Sequence, residues 1–203
     1  MIEDVKSLLV QEAEAIQNIP VNDSYEKAIM LIYKHVHDKK GKLITSGMGK
    51  AGQIANNIAT TFSSTGTPAV FLHPSEAQHG DLGVAQENDV MLVISNSGKT
   101  REILELIELT KALYPQIPFI VITSNEESIL AQKSDVFIHT GNPKEVCTLG
   151  LTPTTSTTTM TVIGDILVVL LMKKINFDNQ AYSLRHHGGY LGDKSREQAK
   201  NVK

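Results

Sequence analysis

Five short apolar runs alternate with segments of helical period along this chain, and that alternation narrows the fold more than any other feature. The runs are Lys42 to Thr45, Ala69 to Leu72, Val90 to Ile94, Phe119 to Thr123 and Val136 to His139. Between the first two, Ile54, Ile58 and Phe62 recur every four residues; after the third, Ile103, Leu104, Ile107 and Leu113 mark a helix over Arg101 to Leu113. Short runs apolar at successive positions read as strands buried on both faces, and strands joined by helices run parallel. The predicted fold is α/β: a doubly wound, five-stranded parallel sheet flanked by helices, with ligands taken at the carboxyl ends of the strands.

The flanking regions read differently. Two amphipathic helices open the chain. The first carries Val5, Leu8, Leu9 and Ile16 on one face; the second starts at an Asp23/Glu26 capping-box pair and carries Ala28, Ile29, Ile32 and Val36. After the fifth run an irregular segment, Gly141 to Thr152, leads into a long helix from about Thr154 to Lys173. That helix is apolar around most of its circumference, which calls for burial against the sheet or another subunit. The last thirty residues are polar, with a loop at His186-His187-Gly188-Gly189-Tyr190-Leu191-Gly192. One domain spanning residues 1–203 is expected, with its core over about 42–194 and the N-terminal helices within 1–40.

Three segments carry chemistry. Ser95-Asn96-Ser97-Gly98-Lys99-Thr100 is a hydroxyl-rich turn between a strand and a helix, so it aims backbone N–H groups and hydroxyls at the helix N-terminus, a place that favours phosphate. Gly47-Met48-Gly49-Lys50-Ala51-Gly52 follows the first strand and fits the glycine pattern of dinucleotide sites. However, the next strand ends in His73-Pro74-Ser75 where a ribose-binding acid would be needed, and Lys50 is followed by Ala51, not the hydroxyl residue of a P-loop. The third segment, Thr152-Pro153-Thr154-Thr155-Ser156-Thr157-Thr158-Thr159, is rich in residues that favour helix caps over helix interiors, so it is expected to start the long helix with its donors facing the same anion. Turns after the first and third strands converge on one crevice, and the expected ligand is a phosphorylated small molecule.

Composition trims the alternatives. The formal net charge is −3 over 203 residues, from 19 basic and 22 acidic side chains, and no basic run exceeds two residues, which argues against nucleic-acid binding. No signal-peptide pattern opens the chain, and no apolar stretch is expected to span a bilayer, so a cytoplasmic protein with no membrane partner is the expectation. The single cysteine, Cys147, reads as a small buried side chain, in keeping with a reducing compartment. His35 and His37, two apart on a helix, do not share a face as metal ligands would, and neither a metal nor another cofactor is expected.

In this order, Gly47-Met48-Gly49-Lys50, Ser95-Asn96-Ser97-Gly98 and the Pro153-Thr154-Thr155-Ser156-Thr157-Thr158 helix start resemble the sugar isomerase (SIS) domain of phosphosugar-binding proteins. The segments from His73 to Gly83, Pro143 to Cys147 and Leu184 to Gly189 are similar to the arabinose 5-phosphate isomerases within that class. Arg185 and His187 depart from that group's loop, which has serine and proline in their places. The chain ends soon after Lys194, so it resembles a stand-alone catalytic domain lacking the paired regulatory (CBS) domains that many members carry.

The resemblance implies a three-layer sandwich and an isomerase of ribulose 5-phosphate and arabinose 5-phosphate, feeding the sugar Kdo of lipopolysaccharide. It also implies a homotetramer with shared active sites, and possible feedback by Kdo or nucleotide-activated Kdo. Moving a proton between adjacent carbons through an enediol needs a base at carbon, an acid/base at oxygen and a cation, with no redox cofactor. The candidate catalytic residues are Lys50, Glu102, Glu145, His186 and His79. Glu145 or Glu102 is the base, His186 or His79 serves oxygen and ring opening, and Lys50 polarises the carbonyl. By resemblance, His186 reaches the site of a neighbouring subunit. Candidate substrate-binding residues are Ser46, Gly47, Gly49, Ser95, Asn96, Ser97, Gly98, Thr100, Thr154, Thr155 and Ser156. The competing classes are a non-catalytic phosphosugar sensor, an isomerase of another sugar phosphate, and a nicotinamide-dependent oxidoreductase, the last disfavoured by the missing ribose acid.

Overall fold

The computed structural model describes residues 1–200. Five parallel strands, β1 (Leu43–Gly47), β2 (Ala69–Phe71), β3 (Val90–Ile94), β4 (Phe119–Thr123) and β5 (Val136–His139), lie in the order β2-β1-β3-β4-β5. Each expected run became a strand, with ends shifted by at most two residues. Strand side chains alternate between two cores: Val90, Leu92 and Ile94 face one, while Met91 and Val93 face the other. Because both faces are covered, β1, β3 and β4 are buried along their whole length.

On one face lie α2 (Ser24–Ile32), α3 (Gly49–Ser64) and a 20-residue helix at Thr155–Lys174. On the other lie the short α4 (Pro74–Ala77), α5 (Arg101–Leu113) and the single turn α6 (Ile129–Gln132). The long helix is α7. It packs on α3, where Gly164 meets Ile58 so closely that a Cβ would overlap the isoleucine side chain. By length and composition α7 is apolar enough to cross a membrane, which corrects the sequence reading that no stretch reaches that length. Half of its most apolar window is buried here, through Met160, Ile163, Leu167 and Leu171, as befits a core helix. Phe62 of α3 is fully buried in the same core. Phe62→Ala should therefore cost about 3–5 kcal/mol, read as a lower denaturation midpoint in urea.

The termini depart from expectation in three ways. The Asp23/Glu26 capping box does not form: Asp23 is helical in backbone, its carboxylate pairs with Lys27 at 2.7 Å, and the Ser24 N–H donates to Asn22 Oδ1 at 2.9 Å instead. The first helix, α1 (Ile2–Gln17), buries no residue; Val5, Leu8, Leu9 and Ile16 are all exposed. The C-terminal loop is shorter than expected, because Gly189, at φ +74°, opens a helix that takes in Gly192. The last two helices are α8 (Asn179–Ser183) and α9 (Gly189–Lys200).

Candidate active site

The strand order reverses between β1 and β3, and the crevice outside their carboxyl ends is where open α/β sheets take ligands. A cavity of about 710 Å³ occupies that position. Four segments wall it: Met48 to Ala51 after β1, Ser95 to Thr100 after β3, Pro143 to Glu145 after β5, and Pro153 to Thr157 at the head of α7. The N-termini of α3, α5 and α7 thus meet at one cavity, each carrying partial positive charge.

The first turn is tight. A Cβ on Gly47 would come within 2.8 Å of the Ala51 carbonyl, so only glycine lets α3 start this close to β1. Lys50 then stands on the cavity wall. The second turn is braced from beneath. The Asn96 carbonyl accepts from the Thr123 hydroxyl at 3.1 Å, the Ser124 hydroxyl at 2.7 Å and the Ser124 N–H at 3.1 Å. Gly98, at φ +63°, sits where a Cβ would overlap Ser128. Ser95 and Thr100 share a hydroxyl hydrogen bond of 2.8 Å, and among the described residues no side chain caps α5. Among the same residues, the N–H groups of Asn96 and Ser97 have no acceptor within the chain. This turn therefore presents free donors at an uncapped helix N-terminus.

The hydroxyl tract behaves otherwise. Its donors hold a carboxylate of the chain itself. Glu145 Oε2 accepts from the Thr154 N–H at 2.7 Å, the Thr154 hydroxyl at 2.9 Å and the Ser156 N–H at 3.3 Å, while the Ser156 hydroxyl donates to Oε1. Burial pushes the Glu145 pKa up, but the hydrogen bonds from Ser156 and Thr154 outweigh it, so the carboxyl lies below its ordinary value. Glu145 is therefore ionised at neutral pH. Because the folded value is depressed, the contact stabilises the fold at neutral pH and is lost as pH falls from the ordinary carboxylate range through that lowered value.

Other candidates are scattered. Ser46 is buried, its hydroxyl donates to the Leu72 carbonyl at 2.7 Å, and it is not among the cavity's lining residues. Thr155 is likewise buried and serves Glu12 and Val146. Gly49, at φ +58°, opens α3 beside the wall. Glu102 lies in the first turn of α5 but is not among the cavity's lining residues, nor are His79, exposed beyond α4, or His186. His186 stacks on Tyr182 with ring centroids 3.8 Å apart. Among the described residues, no histidine of a single chain lines the cavity.

Sequence reasoning missed Lys144, which gives the wall a second cation; its adjacency to Glu145 was the available signal. It also misjudged Cys147, which is not buried. Its sulfur accepts from the Thr152 N–H at 3.1 Å and the Leu151 N–H at 3.3 Å, and chiefly through its hydrogen bonds to Thr152 the thiol pKa falls to about 7. Iodoacetamide should thus label this sole cysteine with a rate that rises with pH and reaches half its maximum near pH 7, followed by mass spectrometry. Among the described residues no cluster of histidine, cysteine and acidic side chains is placed to hold a metal ion.

A parallel sheet of order 2-1-3-4-5 with a cavity over its switch point places the chain among the doubly wound α/β proteins that take ligands at the carboxyl ends of their strands. The SIS-domain family model matches residues 35–170, and the chain belongs to that family. A Bacteroides fragilis NCTC 9343 protein, its crystal structure described as that of a phosphosugar isomerase involved in capsule formation, is 68% identical. The match covers 94% of this chain and 99% of that one, with a TM-score of 0.93. An Escherichia coli CFT073 protein solved in complex with arabinose 5-phosphate is 34% identical, over 91% of this chain and 96% of that one, with a TM-score of 0.82. Among curated proteins, the arabinose 5-phosphate isomerase KdsD of Francisella tularensis is 44% identical over 195 residues, 96% of this chain and 58% of the relative. KdsD of Escherichia coli K12 is 48% identical over 155 residues, covering 76% and 47%. The chain thus spans about half the length of the curated relatives it matches.

Proposed function

We propose that the chain is an aldose-ketose isomerase interconverting D-ribulose 5-phosphate and D-arabinose 5-phosphate, the supply step for Kdo and lipopolysaccharide. The carrying observation is the cavity itself: free phosphate donors at Asn96 and Ser97, with the ionised Glu145 and two lysines on the same wall. The names of the isomerase relatives and the complex of the E. coli CFT073 protein support the choice of sugar.

In this reading the phosphate sits on the Ser95 to Thr100 turn and the open-chain sugar extends towards Glu145. Glu145 takes the proton from C1 of the ketose, and Lys50 stabilises the oxyanion that forms at O2. A proton passes between the two oxygens, and the carbon proton returns at C2 to give the aldose. Glu145 is preferred over Glu102 as base because its carboxylate stands in the cavity wall. Thr154 and Ser156 act through Glu145 and leave the phosphate to the second turn. Since no histidine among the described residues of the same chain lines the cavity, the acid/base at oxygen is His186 of a neighbouring subunit, with His79 the second candidate.

That assignment needs an oligomer. The exposed apolar residues of α1, with Ile166 and Val169 of α7, supply surface for one, and a homotetramer is the proposed form. A cytoplasmic location is part of the same proposal, supported by the single cysteine. Feedback by Kdo or its nucleotide-activated form would act at the crevice, and should appear as competition with ribulose 5-phosphate.

The direct test supplies purified protein with ribulose 5-phosphate in D2O and no cofactor. Arabinose 5-phosphate carrying one deuterium at C2 is the expected product. Binding of sugar phosphates without conversion would instead mark a sensor. Ser97→Ala should raise KM about tenfold with kcat little changed, because a donor to the non-reacting phosphate acts alike on ground and transition states. A loss confined to kcat would place Ser97 at the reacting carbons.

A further inference from the structure

α1 contributes no buried residue, yet one of its side chains reaches the head of α7 behind the active-site wall. The Thr155 hydroxyl donates to Glu12 Oε1 at 3.0 Å, across 143 residues of sequence. The same hydroxyl oxygen accepts from the Val146 N–H at 3.2 Å. Glu12 Oε2 is sealed from solvent with no partner among the described residues, so the carboxylate is held there at a desolvation cost.

A hydroxyl has one proton to give and lone pairs to receive with. While Glu12 takes the proton, the lone pairs of Thr155 stay turned to Val146. The Val146 N–H belongs to the same planar peptide as the Glu145 carbonyl, so holding it fixes the backbone from which the Glu145 side chain springs. Without an acceptor at Glu12 the hydroxyl loses the partner that fixes its rotamer and is free to turn, and the hold on Val146 weakens.

Resting on the isomerase reading, we infer that Glu12 is a positioning residue: through the Thr155 hydroxyl it sets the Glu145 carboxylate against the first turn of α7. The phosphate turn lies on other elements, so the effect falls on turnover and spares binding.

The test compares wild type, Glu12→Ala, Glu12→Gln, Thr155→Val and Thr155→Ser, each checked for circular dichroism and assembly size. Glu12→Ala and Thr155→Val should lower kcat about tenfold or more while KM stays within about twofold, as expected for a displaced reacting group. Glu12→Gln, which keeps an acceptor oxygen, and Thr155→Ser, which keeps the hydroxyl, should restore most of it. Cys147, next to Val146, gives a readout independent of turnover. Its labelling rate with dithiobis(nitrobenzoate) should change about threefold or more in Glu12→Ala and Thr155→Val and hold in the conservative pair.

A folded, assembled Glu12→Ala enzyme with kcat within about twofold of wild type overturns the inference. So does a loss that Glu12→Gln fails to restore, or one with an unchanged thiol rate. If Glu12→Ala does not fold, the Thr155 pair decides. If wild type does not convert ribulose 5-phosphate, the functional reading fails by itself, and the thiol rates still judge whether Glu12 holds the loop.

Discussion

Glu145→Gln should lose about a thousandfold in kcat, the scale expected when a positioned base is removed. The substitution isolates chemistry from fold. Glutamine retains one oxygen for the donors of Thr154, and the Ser156 hydroxyl can rotate to accept from the new amide, so the head of α7 stays capped. What disappears is the group that takes the carbon proton. Kinetics on ribulose 5-phosphate, with circular dichroism to confirm the fold, provide the check. Turnover within about tenfold of wild type would transfer the base role to Glu102.

Two separately inactive variants, Lys50→Ala and His186→Ala, should regain turnover when mixed under conditions that exchange subunits. Each alone should fall at least about a hundredfold in kcat, the first by losing the cation over the developing oxyanion, the second by losing the acid/base at oxygen. His186→Ala should still bind sugar phosphate, since the phosphate turn is untouched. In a mixed dimer one of the two shared sites holds an intact lysine from one chain and an intact histidine from the other. That site works and its twin is doubly defective. Mixtures that stay inactive despite verified exchange would place both residues in one chain's site, and full activity in a monomer would remove the need for sharing.

The sheet was legible because its strands are buried on both faces: Val90 to Ile94 and Phe119 to Thr123 have no polar alternation to confuse them, and their ends coincide with the structure. The turns after β1 and β3 were legible for a related reason, since glycines and hydroxyls between a strand and a helix have few other uses. The partner of the α7 cap was not. Glu145 and Ser156 are eleven residues apart across an irregular segment, and no periodic pattern links them. The hydroxyl tract was rightly placed at a helix start, yet which anion it holds depends on where Gly141 to Thr152 folds back. The Asp23/Glu26 pair failed for a local cause, because Asp23 is already helical in backbone and its carboxylate turns to Lys27. The histidines were legible only through the family resemblance, and among the described residues of one chain none lines the cavity.

The Asn96 carbonyl, held by three donors, has one more effect. In a trans peptide the carbonyl and the following N–H point in opposite directions. Anchoring that oxygen on the Ser124 side therefore keeps the Ser97 N–H turned the other way. A flip of this plane would strand three donors at once, whereas a loosely held loop flips readily and can offer an oxygen to a cation in one moment and an amide to an anion in the next. Here the electrical sense of the turn is set before any ligand arrives, and under the proposed function that lets the crevice select by sign of charge ahead of shape.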